Sequence, residues 1–316
     1  MRRQHKLILA IVSSCLLPLA VTAFEELPEE HYMAEKIRQH AEQGRSAFEH
    51  QEVLNFVARK KAEDMAKRQF FSHLDPDGYG PNFAAYHAGY DIPNFSPASN
   101  TIESIGVRHQ NGLSGQQAAD IIFAAWLESP GHRRHVLAEV DQFKNQPAYG
   151  VGYAFAPQGP FGWSSHYFVI VTANADPDAV VTPFVEWKFD NFSLAKMDQH
   201  NADVDQDGKN LLWEYAYNTD PEQPDAAPSF PFTFSQERKQ GGVTVELPAG
   251  IDPDLEVIVE TSSLQWFSPW TSDDVSREGN TFWAGAEDDV FRAFRVRLEH
   301  RLFSRLPRPL YTEGRR

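Results

Sequence analysis

The single cysteine of this 316-residue chain, Cys15, falls inside the apolar stretch LILAIVSSCLLPLAV, and that placement constrains everything downstream. No disulfide can staple the residues that follow. The fold must therefore rest on buried apolar surface, with bound metal as a further staple. Composition permits this, because 41% hydrophobic residues over such a length can fill one full core and point to two. The apolar stretch itself reads as a leader. MRRQHK is a basic n-region, and Val21-Thr22-Ala23 carries the small-residue pattern that a signal peptidase reads, so residues 1–23 are expected to be a signal peptide. Ser13, Ser14 and Pro18 interrupt the run, which is short for a membrane span. The expectation is a secreted chain (extracellular, periplasmic or cell-surface) with no transmembrane span after cleavage. Loss of Arg2, Arg3 and Lys6 with the leader takes the formal net charge from -15 to -18, which argues against nucleic acid or an anionic membrane as partner.

Three patterns follow the leader. Residues 24–175 alternate helical periodicity with loops rich in Gly, Pro and Asn, an α+β arrangement. EVLNFVARKKAEDMAKRQFF places Val53, Phe56, Val57, Met65, Ala66 and Phe70 at helical spacing, with Arg59, Lys60, Lys61, Glu63 and Asp64 opposite. A second helix is expected from Ser114, capped with Gln117 reaching back, burying Ala118, Ile121, Ile122, Ala125 and Trp126 and ending at Ser129-Pro130-Gly131. AYGVGYAF and HYFVIVTAN read as two strands packed on those helices. Residues 176–227 form an acidic linker with proline at its ends. Residues 228–316 turn to alternating Val, Phe and Leu against Arg and Glu, which predicts a small antiparallel β domain with a loose tail YTEGRR. Trp266, Phe267 and Trp270 are read there as packed core or sheet face, with a carbohydrate platform as the less favoured role.

Three residues of the first region join ionisable chemistry to an element boundary. His73 follows the first helix in FFSHLDPDG, Glu103 sits in NTIESIG, and His132 follows the helix stop in SPGHRRHVL. The ordered strings MAKRQFFSH, ESIG, AAWLESPGHRRHVL, YGVGYAF and HYFVIVTAN resemble the bacterial branch of the CAP (SCP/PR-1/antigen 5) superfamily over residues 50–175. The resemblance implies an α-β-α sandwich in which His73, Glu103 and His132 converge on one cleft. The wider family completes a tetrad with a second Glu. Here Ser129 stands in its place and Glu128 is one position early, so Glu128 enters only as a displaced candidate.

Two imidazoles beside one carboxylate are a ligand set for zinc with an open position for water, and without metal they can act as a general acid-base pair. There is no HExxH helix and no evident triad. Ligand binding is thus favoured over turnover, with a small molecule, lipid, peptide or cell-envelope component as partner, and a metal-assisted hydrolase of peptide or cell-wall material as the alternative. His135 is expected on the surface of a short helix, and His166 at a half-buried strand position.

DVDQDGKNLLWE, residues 203–214, is the most specific local motif. Asp203, Asp205 and Asp207 hold positions 1, 3 and 5 of an EF-hand-like loop, Gly208 the turn at 6, Lys209 a carbonyl at 7 and Glu214 position 12, all for calcium. Only one such loop is present, which favours a structural clip over a sensor.

Overall fold

The computed structural model describes residues 24–306 apart from 94, 198–202, 227–229, 236, 239, 249–250, 264–269, 274 and 286–291. The leader, the tail, Trp266 and Phe267 lie outside the described residues. Among those described, no helix is long and apolar enough to cross a membrane.

The first region is a three-layer sandwich. Its elements run α1 (Pro28–Arg38), β1 (Glu49–His50), α2 (Glu52–Arg68), α3 (Pro81–His87), β2 (Glu103–His109), α4 (Gly115–Glu128), α5 (Pro130–Val136), α6 (Asp141–Lys144), β3 (Ala148–Ala156) and β4 (Ser165–Ala173). The strand order is β1-β3-β4-β2, with β1 parallel to β3 and the other pairs antiparallel. Every residue of β4 is buried, because both faces of this strand are covered, and its sequence is accordingly an almost unbroken apolar run. The strand period divides that run between two cores. Tyr167, Val169 and Val171 pack with Val53, Phe56 and Val57 of α2, whereas Phe168 and Ile170 pack with Met33 of α1 and Ile122 and Trp126 of α4.

Gly150 and Gly152 set the separation of α2 from β3. A Cβ on Gly150 would stand 1.9 Å from Asn55 N, and one on Gly152 would stand 2.0 Å from Ala58 C. Backbone cannot yield as a flexible side chain does, so only glycine allows this approach. At the start of α4, Ser114 and Gln117 form the expected capping box. The buried stripe of α4 differs in phase from the reading above. Ile121 and Ala125 are exposed, while Ala119 and Phe123 join Ala118, Ile122 and Trp126 inside, because α4 is clamped between the sheet and α1.

The second half continues with α7 (Pro183–Asn191), a 3-10 turn (Leu194–Lys196), α8 (Leu211–Tyr217), β5 (Phe232–Ser235), β6 (Gln240–Thr244), β7 (Leu255–Ser263), β8 (Val275–Glu278), β9 (Thr281–Gly285), β10 (Arg292–His300) and α9 (Arg301–Ser304). All the strands pair antiparallel, as β5-β6-β9-β8 and as the two-stranded β7-β10. Val243, Val245, Val259 and Phe282 make a small core of their own. The main core nevertheless runs across residues 175 and 227. Phe184 of α7, Trp213 of α8, Leu298 of β10 and Leu302 and Phe303 of α9 all belong to the cluster built on α2 and α3. Arg305 pairs with Asp176 at 3.0 Å and donates to Gly89 O at 2.8 Å.

Lys188 lies at this joint, fully buried. Its Nζ donates to His87 O at 2.6 Å and stands 4.4 Å from the centre of the Phe303 ring. Burial lowers its pKa to about 7.

Candidate functional site

A short loop after α2 carries His73. Asp75 accepts hydrogen bonds from the backbone N–H groups of Asp77 and Tyr79, and Gly78, at φ +93°, turns the chain. Arg68, in the last turn of α2, pairs with Asp77 at 2.9 Å, which ties the loop to the helix end. Lys61 donates to His73 O at 3.0 Å, and burial lowers the pKa of this amine despite the nearby Glu103. The loop backbone is thus anchored while the imidazole stays 40% exposed.

Glu103 opens β2, the edge strand of the sheet, and Asn100 Oδ1 accepts its N–H at 3.0 Å. Its side chain is 1% exposed, and Oε1 lies 2.8 Å from His73 Nδ1. Among the described residues Glu103 Oε2, also buried, has no hydrogen-bond partner. A neutral His73 ring that donates Nδ1–H to this carboxylate keeps its lone pair on Nε2.

His132 approaches from the other side of the sheet, on α5. The two imidazole centres are 6.4 Å apart, so His73, Glu103 and His132 meet around the edge strand. Ser129 Oγ lies 2.9 Å from His132 Nδ1, and Trp126 packs behind the ring at 6.5 Å while donating its Nε1–H to Ile105 O at 2.8 Å. Burial, and then the neighbouring His73, lower the pKa of His132. Glu128, the last residue of α4, is exposed, and the side chain that reaches His132 is that of Ser129. The Ser-Pro-Gly break explains this, because it ends one helix and starts the next, turning Glu128 outward and leaving Ser129 three residues before His132.

His135 corrects the surface position expected for it. It is buried under the cleft, with Nδ1 2.7 Å from Ser104 Oγ and Nε2 2.8 Å from Thr172 Oγ1. Arg45 donates to the carbonyls of His135, Val136 and Gln146 at 2.8, 2.9 and 2.9 Å, and burial brings its pKa down to about 10. Burial, aided by Arg45, lowers the pKa of His135 well below the usual imidazole value. Residues His132 and His135 are one helical turn apart, so the same turn that presents one to the cleft drives the other inward. His166 is likewise buried, hydrogen-bonded to Tyr153 Oη at 2.9 Å. None of Arg45, Ser104 or Thr172 was singled out from sequence; the three-residue spacing from His132 was the available signal for His135.

The metal-ligand sets stand differently. Among the described residues, the groups of three or more His, Cys, Asp or Glu whose ligand atoms all lie within 4.8 Å of one another are Asp203-Asp205-Asp207 and Asp207-Glu214-Asp225. His73, Glu103 and His132 are not among these groups. The acidic loop folds back on its own aspartates, with Gly208 at the turn. Asp203 accepts from the N–H groups of Asp207 and Gly208, Asp205 accepts from Asp207, and Gly208 holds φ +93°. Asn210 caps α8, which brings Glu214 to the loop in its first turn. Lys209 places its side chain as well as its carbonyl at the loop, against Asp207, Glu214 and Asp225.

Comparison with known proteins agrees with the first region. Residues 32–172 match the family model described as the cysteine-rich secretory protein family, CAP. A 140-residue stretch is 28% identical to the uncharacterized protein YkwD of Bacillus subtilis (strain 168), covering 43% of this chain and 44% of that relative, so the match spans less than half of the relative's length. Two solved structures are similar at 15% identity. An outer surface protein from Borrelia burgdorferi is matched over 48% of this chain and 98% of its own, with a TM-score of 0.31. The extracellular protein containing a SCP domain from Bacillus anthracis str. Ames is matched over 46% and 44%, with a TM-score of 0.28. Residues 32–172 of this chain carry a CAP domain.

Proposed function

We propose that the chain is an exported ligand-binding protein of the cell envelope or exterior, and that the cleft of His73, Glu103 and His132 is its binding site. The observation that carries the reading is the Glu103 carboxylate. One oxygen is engaged by His73 and the other, also buried, has no hydrogen-bond partner among the described residues. A buried carboxylate oxygen without a donor costs on the order of 1–3 kcal/mol, and a ligand N–H or O–H removes that cost. His73 Nε2 and the ring of His132, whose pKa burial lowers, flank the carboxylate on either side. The charge balance and the basic-then-apolar N-terminus support export and a neutral or cationic partner.

Native mass spectrometry of the mature chain tests this. Wild type should retain a ligand from its native extract that the His73→Ala, His132→Ala double variant releases. Equal ligand retention in both would sink the binding-site reading.

A hydrolase acting on peptide or cell-wall material is the second reading, favoured by one observation. His73 backed by Glu103 at 2.8 Å is an oriented general base. Its zinc-assisted form finds no support in the spacing of the ligand atoms.

In the acidic segment, Asp203, Asp205, Asp207, Glu214 and the Lys209 carbonyl would hold calcium. The fit is chemical: hard oxygen donors suit this cation, and Asp205 Oδ2 is buried without a hydrogen-bond partner among the described residues. Calcium there would act as a structural clip between the CAP domain and the C-terminal strands. A calcium-dependent rise in melting temperature, with protection of residues 176–227 from protease, is the expected result; an unchanged melting temperature and cleavage pattern would rule the clip out.

A further inference from the structure

We propose that Lys209 is a tethered counter-ion of the acidic loop, holding its carboxylates together until calcium displaces the ammonium. The inference rests on the calcium reading of residues 203–214.

Position 7 of a twelve-residue calcium loop contributes only its carbonyl, so its side chain is free to point into solvent. That of Lys209 does not. It is 3% exposed, and its Nζ lies 3.2 Å from Asp207 Oδ2, 3.5 Å from Glu214 Oε1 and in direct contact with Asp225 Oδ1. The side chains of Asp207 and Glu214 are each 3% exposed as well, so this cluster is withdrawn from water. Buried carboxylates at such separations repel strongly unless a cation stands among them. Lys209 is that cation.

The conflict with calcium follows from which atoms are engaged. Asp207 and Glu214 occupy positions 5 and 12, and these are the carboxylates that face the ammonium. Asp207 Oδ2, which also accepts the Asp225 N–H at 3.0 Å, cannot serve the ammonium and a divalent ion together. A dipositive ion placed a few ångströms from a fixed ammonium also meets direct repulsion. Asp225 lies outside the twelve-residue loop and is 35% exposed, so it can keep the ammonium as calcium takes the other two oxygens. The loop is thereby held closed in two states, by Lys209 at low calcium and by calcium at high calcium. Its affinity is tuned downward to suit surroundings where calcium is abundant.

The full mature chain, its Lys209→Met variant and its Lys209→Gln variant would be titrated with calcium by calorimetry. Both variants should bind calcium about tenfold more tightly, the direction and scale expected for removing one like charge near a partly screened site. Without calcium, both should be cut faster by protease within residues 203–225 than wild type. In wild type, acylation of the Lys209 amine, read by mass spectrometry, should rise on adding calcium. Equal calcium affinities in all three chains, with Lys209 acylation insensitive to calcium, would overturn the counter-ion role while leaving the calcium site standing. Absence of calcium binding by any of the three would overturn both readings.

Discussion

The two charged sites of this molecule are assembled in opposite ways. The cleft draws His73, Glu103 and His132 from three elements spread over 60 residues of chain, and holds them by burial and by hydrogen bonds that each element supplies separately. The acidic loop takes its carboxylates from twelve consecutive residues and holds them by short local bonds from backbone N–H groups. A cleft of the first kind is only as precise as the packing of the sheet and helices behind it. A loop of the second kind is precise in itself and depends on the remainder of the fold mainly for its counter-charges. Substitutions should therefore damage the two regions by different routes and to different extents.

The largest effect is expected where the cleft's scaffold is tightest. Gly150→Val should abolish soluble folded protein, because its Cβ would collide with the backbone of α2, whereas Gly208→Ala in the loop should cost only about 1 kcal/mol for a strained left-handed residue with open space around it. Expression and thermal melting of the two variants would read this contrast. Comparable losses would remove the distinction between a packed and a self-contained site.

Next comes the layer under the cleft. His135→Ala should lower stability by about 2–4 kcal/mol, because it leaves a cavity and strips Ser104 and Thr172 of a buried partner. Denaturant unfolding would measure it, and a loss below about 1 kcal/mol would mean that His135 supports nothing above it.

A third effect lies at the joint between the CAP domain and the C-terminal elements. Lys188 has a folded pKa of about 7, well below that of an unfolded lysine. Between that value and the ordinary lysine range the unfolded chain binds the extra proton, so stability should rise with pH across this window, by at most about 1.4 kcal/mol per pH unit. Below neutral pH both states carry the proton and the gain is absent. Lys188→Met should flatten that rise, and unfolding curves from pH 7 to 10 would show it. An identical slope in the variant would mean that the amine does not lose its proton on folding.

The smallest effect is expected at the rim. Glu128→Gln should change stability by less than about 0.5 kcal/mol and leave ligand retention intact, whereas Glu103→Gln should release the ligand. Equal losses in ligand retention would return Glu128 to the cleft.

Much of this was legible from periodicity and spacing. The helix over EVLNFVARKKAEDMAKR, the capping box at Ser114, the two central strands and the turn at Gly208 follow from local rules that act over a few residues. The convergence of His73, Glu103 and His132 was legible only through family resemblance, since no local rule brings together residues this far apart. What escaped was rotational phase and burial. Helical spacing put Ile121 and Ala125 on the inner face of α4, but the clamp of α1 on α4 turned them out, and the arginines beside His135 suggested a surface position although it is buried.

By itself the amino-acid sequence determined the element types, the change from mixed α+β to antiparallel β pattern, and a twelve-residue stretch with aspartates at alternate positions before a glycine. These depend on dihedral preference, apolar period and the fixed reach of neighbouring side chains. Only the tertiary structure decided that α7, α8, β10 and α9 share the core of the CAP domain, that Ser129 rather than Glu128 meets His132, and that Lys209 turns inward to Asp225. Each of those outcomes depends on which surfaces come to exclude water together, and that is settled by contacts between segments distant along the chain.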